Sequence, residues 1–212
     1  MNNFATHKDL VNWMVSKKHL KSPDIIDAFL ATDRKFFVDD DAAGLAYEDY
    51  PLPIRLSQTI SQPTTSAMML ELLMIERGDN VLEIGSGSGW LTSVMGHLVG
   101  EDGKVVSYET REGVFDFAKE NILKAALNHL PITFVNEDAY GVNEGTYDKI
   151  ISGATVSQIP ENWKQVLKIG GRMVIPKNDY LIVADKLTPD KFKIKKFLGF
   201  NLLPLIIGER YL

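Results

Sequence analysis

The sequence predicts an α/β fold: a doubly wound, mostly parallel seven-stranded sheet with an N-terminal helical extension and a C-terminal antiparallel hairpin. Three observations predict it. Val81 to Leu91 (VLEIGSGSGWL) reads as a buried strand entering a glycine-rich turn and then a helix. From there to Pro176, strand-like apolar runs alternate with helical periodicity, the pattern of a parallel sheet wound with right-handed crossovers. Tyr180 to Lys186 and Phe192 to Phe200, joined by Thr188-Pro189-Asp190, read as a hairpin closing the sheet. At 212 residues one domain is expected, with 1–63 supplying helices and a lid and 64–212 the core.

From the N-terminus, Leu10, Val11, Trp13 and Met14 recur at helical spacing, predicting an amphipathic helix over about 7 to 17. Ser22-Pro23 starts a second helix, serine as N-cap, with Ile25, Ile26, Phe29 and Leu30 as its buried stripe. Asp39-Asp40-Asp41 reads as a solvated turn; three consecutive side chains do not converge on one ion, and no metal site is expected. Ala46 to Pro63 has no clean periodicity and is broken by Pro51, Pro53 and Pro63, the mark of a binding loop or lid. A helix from Pro63 carries Met68, Met69, Leu72 and Leu73 as core filling and ends near Arg77-Gly78-Asp79.

After the opening strand and glycine turn, Leu91, Val94, Met95 and Leu98 mark a helix ending at Gly100. Lys104 to Tyr108 is the next strand and closes on Glu109. Glu112 to Leu127 is a helix with Val114, Phe117, Ala118 and Ile122 inward, and Ile132 to Val135 a strand followed by Glu137-Asp138. Lys149 to Ile151 is a strand running into Ser152-Gly153-Ala154-Thr155. Pro160 opens a helix that Gly170-Gly171 ends, and Arg172 to Pro176 is a fifth strand.

Composition narrows the function. With 45% hydrophobic and 24% charged residues the chain is an ordinary globular protein, without an apolar run of about 20 residues for a membrane span. A net charge of −5 lacks the positive field that phosphate-backbone binding requires, so nucleic acid is disfavoured as a partner. Absence of cysteine excludes disulfides, thiolate catalysis and cysteine-ligated metals. Residues 1–8 show no charged segment followed by an apolar one, so no export signal is expected and a cytoplasmic location is.

The candidate site gathers on the glycine turn. Glu83 is the one charge inside a buried run, and a carboxylate there needs a reason. Gly85, Gly87 and Gly89 let backbone N–H groups approach a ligand. A dinucleotide fingerprint, G-x-G-x-x-G, needs a small residue where Trp90 stands, which weakens that reading. G-x-G-x-G with an acid two residues before it suits a nucleoside carrying an amino-acid tail. An ordinary tight strand-helix turn is the plain alternative. One strand-helix-strand unit later, Glu109 is set where it can accept from both ribose hydroxyls; a surface glutamate at a strand end is the plain alternative there.

The glycine turn resembles motif I of the class I S-adenosylmethionine-dependent methyltransferases, whose core is Rossmann-like. Tyr47-Glu48-Asp49-Tyr50-Pro51-Leu52-Pro53-Ile54, Gln58-Thr59-Ile60-Ser61-Gln62-Pro63, Val81 to Gly89 and Gly170 to Pro176 together closely resemble the protein-L-isoaspartate (D-aspartate) O-methyltransferases. The resemblance covers nearly the whole chain. It implies methyl transfer from S-adenosyl-L-methionine to the carboxylate of L-isoaspartyl or D-aspartyl residues, the first step in repairing damaged proteins and peptides. By the same resemblance Ser61 matches the active-site serine, Glu83 belongs to the cofactor site, Gly85, Ser86 and Gly87 line the methionine end of the cofactor, Glu109 binds ribose, Asp138 accepts from the adenine amino group, and Thr59 and Ile60 help close the pocket. A carboxylate is ionised at neutral pH, so no strong base is required, and His7, His19, His97 and His129 are read as structural or exposed.

Three stretches depart from the family's pattern, two of them where the acceptor peptide would lie. Arg55-Leu56-Ser57 stands where the family usually has a glycine-bounded triplet, adding a cation at the approach to the loop. Glu137-Asp138-Ala139-Tyr140 replaces Gly-Asp-Gly, and Gly153-Ala154-Thr155-Val156-Ser157 replaces an alanine-rich run. Cofactor binding is expected to survive these changes. The alternatives are a divergent methyltransferase acting on another peptide carboxylate or on tRNA, and a cofactor-binding module without catalysis. The chain is expected to act as a monomer.

Overall fold

The structure, a computed structural model, describes residues 4–199, 203–207 and 210–211. Residues 1–3 of the segment read for an export signal, and Phe200 at the expected end of the hairpin, lie outside the described residues.

The N-terminal layer is helical. Helix α1 (His7–Ser16) opens on a capping box, in which Thr6 and Asp9 satisfy each other's backbone N–H, and buries Leu10, Val11 and Met14. Helix α2 (Pro23–Ala31) starts where Ser22-Pro23 places it, but the serine hydroxyl is not a cap: it donates to Glu71 at 2.7 Å. Its stripe is narrower than the sequence suggests, because Leu30 is exposed while Ala28 is buried. The aspartate run enters a 3₁₀ turn over Asp40–Leu45.

The irregular segment contains a small hairpin, β1 (Leu52–Ile54) against β2 (Gln58–Ile60), with Leu52 opposite Ile60. At its tip Leu56 and Ser57 have φ of 55° and 59°, a left-handed conformation that costs a non-glycine residue roughly 1–2 kcal/mol. The tip is held down on the third helix that follows it, Glu112–Lys124. Helix α3 (Pro63–Leu73) ends earlier than expected, at left-handed Met74 rather than near Arg77.

The main sheet has seven strands in the order β5-β4-β3-β6-β7-β8-β9. Strand β3 (Asn80–Ile84) leads through the glycine turn to α4 (Trp90–Val99) and β4 (Lys104–Tyr108). Then come α5 (Glu112–Lys124), β5 (Ile132–Val135), β6 (Tyr147–Ser152) and α6 (Glu161–Val166). Strands β3 to β7 are mutually parallel, while β8 (Tyr180–Thr188) and β9 (Lys191–Leu198) complete the sheet antiparallel, as the sequence predicts. Strand β7 (Leu167–Lys177) corrects one expectation: Gly170-Gly171 lies within it, and α6 has already ended at Val166. The reason is tertiary, since a Cβ on Gly171 would meet the Asp148 and Lys168 carbonyl oxygens at 2.8 Å. A short pair, β10 (Ile206–Ile207) and β11 (Arg210–Tyr211), follows.

Alternation along the central strands divides the core. Val81, Val105, Ile151 and Val174 face the layer containing α1 to α5, whereas Leu82, Ile84, Ile150 and Met173 face Trp163 of α6 and the 139–141 turn. Because β4 and β5 lie on one side of β3 and β6 and β7 on the other, the direction in which successive strands are added across the sheet reverses between β3 and β6. A ligand crevice is expected above that switch point. Among the described residues no helix is long and apolar enough to cross a membrane.

Candidate active site

A cleft opens at the carboxyl ends of β3, β4 and β6, in two adjoining lobes. The larger spans about 680 Å³, part of it open to solvent, and is lined by the 58–61 lid segment, Glu83, the 85–88 turn and Trp90, among others. The smaller spans about 400 Å³, again partly open to solvent, beside Tyr108, Asp138 and Ala139. Gln58, Gly85, Glu109 and Ala154 line both, so Glu109 stands at the waist.

The glycine turn is built by the sheet. Gly85 and Ser86 donate their backbone N–H groups to the Tyr108 carbonyl at 2.8 and 3.2 Å, and Gly87 donates to Glu109 Oε2 at 3.3 Å. A Cβ on Gly85 or Gly87 would project into open space, as in a cradle that a ligand fills, whereas one on Gly89 would press against Ala118 of α5 at about 3.1–3.3 Å. Asn121 of α5 donates to the Ser88 carbonyl at 3.0 Å and fixes the turn from below. Trp90 does not obstruct the cleft. Its indole is buried against the N-terminal layer, with Nε1 donating to the Thr32 carbonyl at 3.0 Å and Phe29 edge-on at 5.4 Å.

Glu83 is 1% exposed. Thr92 and Ser107 hydroxyls both donate to its Oε2 at 2.5 Å, yet burial dominates and pushes the carboxyl up to about 8. Glu109 is raised as well, again by burial, although Gly87 and Arg111 N–H groups oppose it. Two buried hydroxyls in the larger lobe, Ser66 and Ser86, have no protein partner. Buried polar atoms are rarely left so unless a ligand or water meets them. Open space at two glycines, orphan hydroxyls and a carboxylate at the waist together fit a nucleoside with a zwitterionic tail.

The structure thus brings Thr59, Ile60, Ser61, Glu83, Gly85, Ser86, Gly87 and Glu109 to one lobe and Asp138 to the other. Ser61 does not cap α3, for the N-cap position belongs to Gln62, and it lines the larger lobe. One Asp138 oxygen already accepts from Tyr140 N–H at 2.9 Å, leaving the other for a ligand. Arg55 corrects an expectation: rather than facing the acceptor's approach, it pairs with Glu120 at 3.0 Å and lies 4.6 Å over the Phe117 ring. Arg111 Nη1 donates to the Leu56 carbonyl at 2.5 Å, so the strained tip is latched onto α5. The Thr155–Val156 departure is also engaged elsewhere. Thr155 exchanges backbone hydrogen bonds of 2.8 Å with Leu203 and Leu205, carrying the C-terminal segment onto the cleft.

Sequence reading missed Ser66, Gly153 and the 203–205 segment as lining groups. Ser66 carried a signal, a hydroxyl on the buried face of a helix starting at the lid; the 203–205 segment carried none, because its placement depends on a contact about fifty residues away in sequence.

Comparison with known proteins agrees with this geometry. A family model described as protein-L-isoaspartate(D-aspartate) O-methyltransferase matches residues 5–210. The protein-L-isoaspartate O-methyltransferase of Ignicoccus hospitalis is 35% identical over 210 residues, 95% of this chain and 98% of that one. That of Pyrococcus abyssi is 32% identical over 214 residues, covering 99% and 98%. A solved protein-L-isoaspartate O-methyltransferase superposes with a TM-score of 0.86 at 30% identity, covering 96% of this chain and 67% of that one. A Plasmodium falciparum beta-aspartate methyltransferase, crystallised with S-adenosyl-L-homocysteine, shares the fold with a TM-score of 0.86 at 23% identity, covering 96% and 99%. The chain belongs to the protein-L-isoaspartate(D-aspartate) O-methyltransferase family.

Proposed function

We propose that this protein transfers the methyl group of S-adenosyl-L-methionine to the side-chain-derived carboxylate of L-isoaspartyl or D-aspartyl residues, initiating repair of damaged proteins and peptides. The observation that carries the reading is the two-lobed cleft with Glu109 at its waist and the Ser61 segment as its lid. In this reading adenine occupies the smaller lobe beside Asp138, ribose meets Glu109, and the amino-acid tail enters the larger lobe toward Glu83, Ser66 and Ser86. The cofactor, when bound, supplies an electrophilic methyl carbon on a sulfonium.

The residues' part is binding, alignment and exclusion of water. An acceptor carboxylate is already ionised at neutral pH, since carboxyl groups in water ordinarily titrate near pH ~4. No general base is needed, which agrees with a lining that includes no histidine, lysine or arginine among the described residues. The same lining, with the net charge of −5, counts against RNA as acceptor. Thr59, Ile60 and Ser61 line the larger lobe; in this reading Ser61 donates to the acceptor carboxylate and holds its oxygen in line, while Thr59 and Ile60 help exclude water.

The test uses labelled S-adenosylmethionine and two peptides differing only in aspartyl or isoaspartyl linkage. Label is expected as a base-labile ester on the isoaspartyl peptide alone; equal labelling of both, or none on either, overturns the reading. Ser61→Ala is expected to lower kcat about tenfold, the equivalent of one hydrogen bond, with cofactor affinity within about threefold. A loss confined to cofactor affinity would move Ser61 from the acceptor to the cofactor.

A further inference from the structure

Arg34 lies outside both lobes of the cleft, in the 3₁₀ turn Arg34–Phe37, and is 0% exposed. A guanidinium withdrawn from water normally has a carboxylate against it. Among the described residues none is within ion-pair distance of Arg34. The charge is met by four backbone carbonyls instead. Nη1 donates to Ala46 at 2.8 Å and Glu48 at 3.4 Å, and Nη2 donates to Tyr50 at 3.2 Å and Ser61 at 3.0 Å.

Those four carbonyls are not neighbours in sequence. Three belong to the chain entering the β1–β2 hairpin, and the fourth belongs to the residue immediately after it. One planar fork therefore ties both legs of the lid together at its base. The guanidinium also lies 5.4 Å over Trp90, whose indole lines the cleft, so the same group relates the lid to the end of the glycine turn. Asp49, the carboxylate whose charge acts on Arg34, is already committed to Gln62 and Thr64 at the start of α3. Lysine cannot replace this arrangement, since its three donors radiate from one nitrogen and do not span carbonyls on two chain segments. The arrangement is not one that stability alone favours: Nε is buried without a partner.

We infer that Arg34 is a positioning residue for methyl transfer, fixing the Ser61 backbone and both lid legs relative to the cleft while touching neither cofactor nor acceptor. The inference rests on the proposed role of Ser61. It predicts separable effects, because among the described residues the hydrogen bonds of Arg34 go to the lid and its legs and none to the 85–89 turn, Glu83 or Glu109.

Arg34→Lys in the full chain is the test, with three measurements: S-adenosylhomocysteine affinity by calorimetry, steady-state methylation of the isoaspartyl peptide, and the rate of tryptic cleavage after Arg55 at the lid tip. Expected are a dissociation constant within threefold of the parent, kcat lowered at least tenfold, and cleavage accelerated at least fivefold. Arg34→Gln, which removes the buried charge, stands in should the lysine variant not fold. The inference is overturned by parental kcat and cleavage rates, by cofactor affinity falling in step with kcat, or by failure of both variants to fold, which assigns Arg34 to the fold alone. A parent chain that methylates neither peptide defeats the proposed function instead; the cleavage arm still decides whether Arg34 holds the lid.

Discussion

Glu109→Ala is expected to weaken S-adenosylhomocysteine binding by about 100-fold or more, the largest effect of any single substitution in the cleft. In the proposed reading the carboxylate accepts from both ribose hydroxyls, and hydrogen bonds to a charged group contribute about 1.5–3 kcal/mol each. Two of them correspond to a factor of about 10² or above. The side chain also serves the protein: Oε2 receives the Gly87 N–H at 3.3 Å and Oε1 the Arg111 N–H at 3.2 Å, so its removal frees the turn as well as the ribose site. Its backbone is independently held, since Asn136 Nδ2 donates to the Glu109 carbonyl at 2.8 Å, and the strand end should therefore survive. Glu109→Gln, which keeps the shape and two acceptor sites but not the charge, is expected near tenfold. Calorimetric titration checks both, and kcat at saturating cofactor should change by no more than a few-fold. Equal affinity in Glu109→Ala and the parent would remove the ribose assignment.

What made Glu109 legible was its locality. A strand, a glycine turn, a helix and a strand in immediate succession leave one place for the acid that ends the second strand, and the register pairing Ile84 with Tyr108 puts it beside Gly87. Helix α5 was legible for a similar reason: Val114, Phe117, Ala118 and Ile122 repeat at helical spacing and all are buried. The failures are all cases where a distant partner overrides a local signal. Gly170-Gly171 looks like a helix stop, but Gly170 serves a left-handed turn of the backbone at φ 85° and Gly171 a close approach to the Asp148 carbonyl of β6. Ser22 sits in the N-cap position, but Glu71, forty-nine residues on, takes its hydroxyl. Arg55 is a cation beside a binding loop, but Glu120 and Phe117 turn it away. Arg34 is the extreme instance: nothing local separates it from exposed Lys35, and only the return of Ser61 to the same spot gives it a role.

Glu83→Gln carries the second large effect, and it is a dependence on pH. Burial raises the Glu83 carboxyl to about 8, with the Glu109 charge adding to the rise and the Ser107 and Thr92 hydroxyls opposing it. At pH 7 the free protein therefore holds this group mostly protonated. The proposed tail brings an ammonium and a sulfonium toward it, and these favour the ionised form. S-adenosylmethionine affinity should accordingly increase from pH 6 to above 8, and binding at pH 7 should release close to one proton, measured by calorimetry in two buffers of different ionisation enthalpy. In Glu83→Gln both behaviours vanish: affinity is expected within about threefold of the parent at pH 6 but about 100-fold weaker at pH 9, the scale for loss of one partner of a buried charge pair. Stability moves the other way. Because the folded pKa lies above the unfolded value of 4.5, the folded chain holds an extra proton between about pH 4.5 and 8, and the stability this confers is complete below that window and lost as pH rises through it. The glutamine variant should not suffer that loss, so its thermal midpoint should gain on the parent's steadily from pH 5 to 8. The two slopes have opposite sign because one carboxyl is kept neutral by the fold and ionised by the ligand. If Glu83→Gln retains the parent's proton release on binding, the titrating group lies elsewhere in the cleft and the placement of the cofactor's tail must be redrawn.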